Sequence, residues 1–319
     1  IRDEVGKPSL TNNLDETTYR ADAWKTENTL TYDNTFNDMH TVGVLLSTTA
    51  DHYSKRGLEV NGKDLSDESA YLQYLSYANS ATDYLTGPDA NVSLIARLAY
   101  SFNDRYFVTA SWRRDYAGRL PKDNNYGDFP AVTAGWKISN ESFFPKSETL
   151  NLLKIRASWG RVGNLGSIGY NYKSALLGKN YWSEQAQYGV ESNKIWGNFV
   201  YNSTALNPNL TWETSEQWDL GLDVNMFDNR LSMAFDYFDK RTFNLIQSQT
   251  MNWPGTIGID AMLVNQGEVR NRGFEAQINW NQQVNKDWSY FVSGNFSYLK
   301  NWVSDIGVKN ADGTPGVWT

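Results

Sequence analysis

The sequence contains no cysteine and only two histidines among its 319 residues. The lack of cysteine excludes disulfide scaffolds, thiolate zinc sites and cysteine nucleophiles. His40 and His52 have no carboxylate or cysteine spacing around them, so a histidine-based metal centre is not expected. We therefore predict neither a metal site nor a cofactor.

Long apolar runs and an excess of positive charge are also missing. No stretch approaches the roughly 20 apolar residues that a membrane-spanning helix needs. The 29 basic residues are outnumbered by 36 acidic ones, which gives a formal net charge of −7. This balance argues against general nucleic-acid binding, because too few cations are available to displace phosphate counterions. The mean hydropathy of −0.58 alone would indicate a soluble protein.

Aromatic residues and a strict alternation of apolar and polar side chains are abundant. The chain has 13 Trp, 19 Tyr and 14 Phe. In residues 217–226, every even-numbered residue is apolar and every odd-numbered one is polar or glycine. This period of two is typical of a β-strand with one apolar face. About ten such segments, many about ten residues long, predict an all-β protein with strands of membrane-spanning length. Residues 24–32 alternate only weakly.

The connections between these segments alternate in length. Short polar turns are predicted at 103–105, 228–229 and 285–287, and long connections at 59–91, 113–128, 163–211 and 243–267. Short turns at one end and long loops at the other are typical of a transmembrane antiparallel up-and-down β-barrel. Residues 66–85 are the one helix-like stretch, with Ser66 as the candidate N-cap.

The two faces of the predicted strands differ in chemistry. The polar faces carry charges such as Lys154, Arg156 and Asp219, more than a protein core tolerates, so they must meet water. The apolar faces end in aromatic residues such as Trp112 and Trp288, which suit a membrane interface. Alternation cancels in an averaged hydropathy and so conceals the lipid-facing surface. The alternative is a soluble all-β carbohydrate-binding or carbohydrate-active domain, since such domains are also rich in Trp and Tyr.

Several segments, in a shared order, resemble the SusC/RagA family of TonB-dependent outer-membrane transporters. One is Asn207-Pro208-Asn209-Leu210-Thr211-Trp212, which continues through Trp218-Asp219-Leu220-Gly221. The others are residues 97–106, 129–136, 141–144, 153–164, 236–242 and 265–275.

The resemblance implies a 22-stranded barrel in the bacterial outer membrane that is filled by an N-terminal plug and imports glycans or peptides. It also implies a SusD-like surface lipoprotein as a lid, energy from the TonB–ExbB–ExbD complex acting through the plug, and dimers of transporter–lipoprotein pairs. About ten strands cannot close a 22-stranded barrel. We therefore expect residues 1–319 to be part of a single barrel domain, with the plug and the remaining strands outside this sequence.

Carboxylates are plentiful enough to raise a glycoside hydrolase as a rival function. The candidate acids are Glu213, Asp219, Asp223, Asp236 and Asp239. Asp219 and Asp223 share the polar face of one strand, where solvated lumen charge is the simpler explanation. We predict no catalytic residue and no enzymatic activity.

Substrate contacts are expected from aromatic residues in the long connections. The candidates are Tyr181, Trp182 and Trp196 in the connection 163–211, and Trp253 in the connection 243–267. Aromatic faces can stack on sugar rings or on peptide side chains. The alternative is that these side chains pack each loop against itself and its neighbours.

Overall fold

The structure is a computed structural model, and it describes residues 13–63, 80–145, 147, 149–166, 168–169, 186–188, 195–197, 204–250 and 261–307. Within these ranges the chain is almost entirely β-structure. The strands are β1 (Asn13–Phe36), β2 (His40–Lys63), β3 (Ser80–Phe102), β4 (Tyr106–Ala117), β5 (Tyr126–Lys137), β6 (Leu150–Asn164), β7 (Ala186–Tyr188), β8 (Ile195–Gly197), β9 (Thr204–Ala205), β10 (Glu213–Met226), β11 (Leu231–Phe243), β12 (Ile246–Thr250), β13 (Ala261–Asn265), β14 (Glu268–Gln283) and β15 (Ser289–Asp305).

Ten of these strands form one sheet in the order β1-β2-β3-β4-β5-β6-β10-β11-β14-β15. Neighbouring strands run antiparallel, and each follows its partner in the chain once the short strands are set aside. The short strands form a β7–β8 pair and a three-stranded sheet, β12-β13-β9. None of the helical segments in the described ranges is long and apolar enough to cross a membrane. The prediction of an up-and-down antiparallel sheet of about ten strands is confirmed.

The connections differ at the two ends of the sheet. At one end, which we call the turn end, tight turns join the strands at residues 37–39, 103–105 and 227–230. Asn and Asp residues at these turns have positive φ, between 51° and 62°, a conformation that their short polar side chains tolerate. At the other end, the loop end, residues 165–212 and 244–267 form longer connections, whereas the connection 118–125 is shorter than the connection 138–149 at the turn end. The predicted asymmetry of short turns and long loops is therefore present apart from this pair of connections. The long connection predicted at 113–128 is wrong, because β4 continues to Ala117 and β5 begins at Tyr126.

Two predictions about the N-terminal third were wrong. β2 and β3 extend far into the connection predicted at 59–91, and residues 80–85 are strand instead of helix. Pairing with β2 from Asn61 to Lys55 supplies the backbone hydrogen bonds there, and it overrides the local helical pattern. The register shifts beside Pro88, which cannot donate to a ladder. Ser66 and the rest of the predicted helix lie outside the described residues.

The apolar face of the sheet is not covered by protein. Trp218 is 61% exposed and Leu220 is 58% exposed, although both belong to the apolar side of β10. In a soluble sandwich this face would pack against a second layer about 10 Å away. The buried apolar residues of the described part are few, and most lie at the loop end. The exposed apolar face is therefore the surface that lipid would cover.

Glu141 ties two connections together at the turn end. Its Oε1 accepts hydrogen bonds from the Tyr106 hydroxyl at 2.6 Å and from Trp136 Nε1 at 2.9 Å, and Arg105 Nη1 lies 3.3 Å from Oε2. The bond from Tyr106, followed by that from Trp136, lowers the pKa of Glu141 below its ordinary value of 4.5. The charged carboxylate thus joins the β3–β4 turn to the β5–β6 connection.

Leu222→Arg tests the assignment of the apolar face. Leu222 lies midway along β10 between Ile155 and Phe235, so the arginine would meet the middle of the bilayer. We expect the free energy of folding into bilayers to be less favourable by about 2–4 kcal/mol, measured by denaturant titration in the full-length protein. Ser158→Arg is the matched control, because Ser158 lies opposite Asp219 on the polar face. Equal losses in both variants would contradict the assignment.

Glu141→Gln tests the ionised contact at the turn end. Because the folded-state pKa is lowered, the carboxylate contributes stability above the unfolded value near 4.5, and this contribution is lost as the pH falls through the folded value. The variant should therefore melt below the wild type at pH 7, and the difference should shrink as the pH falls below 4.5. Asp287→Asn removes the same charge at another turn and should leave the melting temperature unchanged. A gap that persists or grows in acid would oppose this account.

Candidate functional site

The polar face of the sheet is built around Arg156 of β6. Its Nε donates to Asp223 Oδ2 at 2.8 Å, and its Nη2 donates to Asp223 Oδ1 at 2.9 Å. The same Nη2 also donates to Asp236 Oδ1 at 2.9 Å. Asp223 lies on β10 and Asp236 on β11, so one guanidinium links three neighbouring strands. Paired N–H donors aligned on a carboxylate make this the strongest kind of side-chain hydrogen bonding in proteins.

Gly221 makes this geometry possible. It lies opposite Arg156 on one side and opposite Asp236 on the other, directly between the two charges. A Cβ at this position would lie 2.6 Å from Arg156 Cζ and 2.5 Å from Asp236 Oδ1. Any larger residue would therefore occupy the space through which Arg156 reaches β11.

Further charges continue along the same face. Asp219 lies two residues from Gly221, Lys154 lies opposite Asp223, and Glu275 lies opposite Asp236. Glu275 Oε1 accepts a hydrogen bond from Ser297 Oγ at 3.4 Å. We call the set Lys154, Arg156, Asp219, Asp223, Asp236 and Glu275 the charged ladder. Four carboxylates and two cations give it an acidic excess, suited to binding hydroxyl, amide or cationic groups in water.

The acids considered for glycoside hydrolysis do not form one site. Asp219, Asp223 and Asp236 belong to the charged ladder, whereas Asp239 lies on the apolar side of β11 and bonds Arg272. Glu213 is at the loop end, where its Oε1 accepts from Asn164 at 2.9 Å. Two of the five are therefore outside the ladder.

The histidines have local partners. His40 Nδ1 is 2.8 Å from the Tyr100 hydroxyl, and His52 stacks on Trp24 with ring centroids 6.1 Å apart. Neither lies in a group of three or more His, Cys, Asp or Glu placed to hold a metal, and no such group occurs in the described ranges.

A small apolar cluster packs beneath the connections at the loop end. Leu120, Ile168, Leu210 and Ile246 come from four different parts of the chain and are at most 6% exposed. Trp212 packs against them and also meets Phe129 edge-on at 5.4 Å. The connections from β6 to β10 and from β11 to β14 therefore begin and end on this packed cluster, which is their base.

Polar contacts fix the same base. Arg119 Nε and Nη2 bond Asp89 Oδ2 at 3.0 Å and 2.9 Å, and Asp89 is 3% exposed. Asn265 and Thr211 form two hydrogen bonds, each 2.8 Å long. The sequence reasoning missed the Asp89–Arg119 pair, because it placed both residues in long connections. The only sequence signal was the presence of opposite charges beside the predicted strands.

The sequence-predicted substrate contacts lie mostly outside the described residues. This holds for Tyr181, Trp182 and Trp253. Only the backbone of Trp196 is described, in β8 opposite Gln187 of β7. The charged ladder supplies a second candidate that residue patterns alone did not identify, although they placed Arg156, Asp219 and Asp223 on the polar face.

Gly221→Ala tests whether the ladder depends on the missing side chain. The added methyl group should separate Arg156 from Asp236 and should lower the free energy of unfolding by about 1 kcal/mol, measured by denaturant titration of the full-length protein. Gly294→Ala is the control, because no heavy atom lies within 4 Å of the Cβ it would add. An unchanged stability of Gly221→Ala would show that the contact across the strand contributes nothing.

Comparison with known proteins places this geometry in a family. Residues 3–317 match the family model described as TonB dependent receptor-like, beta-barrel. TonB-dependent receptor P39 of Formosa agariphila is 31% identical over 304 residues, covering 92% of this chain and 27% of that receptor. TonB-dependent receptor SusC of Bacteroides thetaiotaomicron is 33% identical over 220 residues, covering 67% of this chain and 21% of that receptor.

Solved structures show the same fold. The RagAB peptide importer in its open-open state superposes with a TM-score of 0.75 at 24% identity, covering 97% of this chain and 33% of that one. The chain spans between 21% and 28% of the length of the curated relatives that it matches. It belongs to the TonB-dependent receptor family, with SusC/RagA-type receptors among its relatives, and forms part of an outer-membrane β-barrel.

Proposed function

We propose that the full-length protein imports oligomeric nutrients across the outer membrane, driven by TonB. The observation that carries this proposal is the opposition of two faces in one sheet: an uncovered apolar face for lipid and a face that carries the charged ladder. A barrel built in this way encloses a polar, water-accessible path. Residues 1–319 would then be part of a single barrel domain, with the plug and the other strands supplied by the rest of the protein.

The substrate class that we propose is a polar oligomer, either a glycan or a peptide. The acidic excess of the charged ladder supplies hydrogen-bond acceptors for sugar hydroxyls, peptide amides or cationic side chains. The name of the RagAB importer refers to peptides, and SusC is a relative by sequence. Tyr181, Trp182, Trp196 and Trp253 stay our predicted substrate contacts at the loop end.

The proposed partners follow from the same relatives. We propose a SusD-like lipoprotein above the loop end, the TonB–ExbB–ExbD complex acting through the plug, and dimers of transporter–lipoprotein pairs. The connections at the loop end, which pack on the apolar cluster, would offer such a lid an ordered surface. The proposed role is binding and passage without covalent chemistry, so we propose no catalytic residue. Membership of a membrane-barrel family argues against a soluble carbohydrate-binding or carbohydrate-active domain.

A growth experiment tests the proposal. A strain that lacks the full-length protein should fail to grow on one class of oligomer, supplied as defined glycans or peptides, and should grow normally on the corresponding monomers. Loss of TonB should give the same pattern.

Replacing Tyr181 and Trp182 together by alanine should slow uptake about tenfold at unchanged protein level, because stacked rings contribute about 0.5–1.5 kcal/mol each. Unchanged growth of the deletion strain on every oligomer would refute import.

A further inference from the structure

The apolar face changes character abruptly near the loop end. On six strands its apolar run ends in an aromatic residue, and the next side chain on that face is charged. These pairs are Trp112 and Arg114 on β4, Trp159 and Arg161 on β6, Trp218 and Glu216 on β10, Tyr237 and Asp239 on β11, Phe274 and Arg272 on β14, and Tyr298 and Lys300 on β15. Such a change suits the boundary between hydrocarbon and lipid headgroups.

Several of the basic groups lie against aromatic rings. The Arg114 guanidinium is 4.8 Å from the centre of the Tyr126 ring, and that of Arg161 is 5.5 Å from Trp159. Arg272 and Lys300 lie 5.7 Å and 5.8 Å from the Trp302 ring. The long stems can cover apolar surface while the charged heads reach the polar layer.

From β4 to β15, positive charge accumulates on one part of this face. On β4 to β10, the charges form matched pairs, Arg114 with Asp128 and Arg161 with Glu216. On β11, β14 and β15, the same level carries four cations and three carboxylates, Asp239, Glu268 and Asp305, the last of which pairs in register with Glu268. We call the four cations, Arg241, Arg270, Arg272 and Lys300, the outer cationic patch. This local excess occurs in a chain whose formal net charge is −7.

The patch places like charges directly opposite each other. Arg241 pairs in register with Arg270, and Arg272 pairs with Lys300. Cross-strand neighbours of the same sign destabilise a sheet unless an anion lies between them. Glu268 serves the first pair, with Arg241 Nε at 2.7 Å and Arg270 Nε at 3.0 Å, and uses both of its oxygens.

The second pair has less compensation. Asp239 Oδ2 accepts from Arg272 Nε at 2.9 Å, whereas no salt bridge of Lys300 is found within the described ranges. The side chains of Arg241, Arg270 and Arg272 are 43%, 36% and 47% exposed, so they have room for a further anion. Glu268 and Asp239 contact arginines of the patch, whereas Glu216, which lies in register with Arg241, bonds Arg161. With Asp305 included, the four cations keep a net excess of one positive charge over the carboxylates of β11, β14 and β15.

We propose that the outer cationic patch binds a phosphate group of an outer-leaflet lipid. Charge complementarity favours an anion, and guanidinium groups hydrogen-bond phosphate oxygens well. The apolar surface directly below favours a lipid over a soluble anion. There, Phe274 lies 5.4 Å from Phe296 and 5.8 Å from Tyr298, measured between ring centroids, and offers a continuous surface for acyl chains. The inference depends on the outer-membrane location of the barrel and is independent of the proposed import function.

The test uses the full-length protein in detergent and two lipid probes. One is bisphosphorylated lipid A, and the other is the same lipid with both phosphates removed. Native mass spectrometry would measure the bound fraction as each lipid is titrated. We expect the phosphorylated form to bind at least about tenfold more tightly, and Arg270→Gln combined with Lys300→Gln to remove about tenfold of that affinity.

A matched control removes two positive charges from the polar face. Lys240→Gln combined with Arg97→Gln changes residues whose positions alternate with the outward-facing ones on β11 and β3, and Lys240 is the immediate neighbour of Arg241. This control should bind lipid A as the unaltered protein does. Equal binding of the two lipids by the unaltered protein would overturn the proposal, whatever the folding of the variants. An equal loss in both double variants would overturn it as well.

Discussion

The hydrogen-bond ladder between antiparallel strands is the interaction on which the rest of this structure depends. The buried apolar residues of the described part are few, so a conventional core cannot be what orders the ten strands. In lipid, an unpaired backbone N–H or C=O costs several kcal/mol, so each strand must be paired along its whole span. This requirement fixes the register, and the register then decides which side chains meet. Arg156, Gly221 and Asp236 contact one another because they occupy one row of that ladder.

The two faces of the sheet solve different electrostatic problems. The charged ladder keeps its ion pairs beside water, where Arg156 spans three strands and the remaining carboxylates stay available to solutes. The outer cationic patch lies where an anionic headgroup layer would meet the protein. The polar face has an excess of negative charge, and the outer cationic patch has an excess of positive charge. This arrangement requires two features of the sequence: polar and apolar residues alternate along the middle of each strand, and the alternation stops near the loop end. A single pattern in the sequence thus serves both the lumen and the lipid boundary.

The sequence predicted the type of fold and its polarity well, because alternation reports directly on the two faces of a strand. Residues 217–226 were sufficient to assign every side chain of β10 to a face. Strand length was predicted less well. β2 and β3 gain their outer halves from pairing with each other, and the sequence from Ser80 to Leu85 alone resembles a helix. The charged ladder could be predicted only in part from the sequence. Alternation placed Arg156 and Asp223 on the polar face, but only the register shows that their side chains meet. The same is true of Arg241 and Arg270, which lie on different strands 29 residues apart.

The turns of the turn end have a consequence for how such proteins diversify. A turn such as Asn103–Asp104 holds two residues in the left-handed region, and an inserted residue there would shift the register by one and exchange the two faces of the next strand. Insertions at that end would therefore destroy both the lipid surface and the lumen. At the loop end, the apolar cluster around Leu210 secures the bases of the β4–β5, β6–β10 and β11–β14 connections, so length and composition beyond it can change without moving a strand. Sequence changes in those connections can therefore accumulate while the ten-stranded sheet beneath them keeps its register.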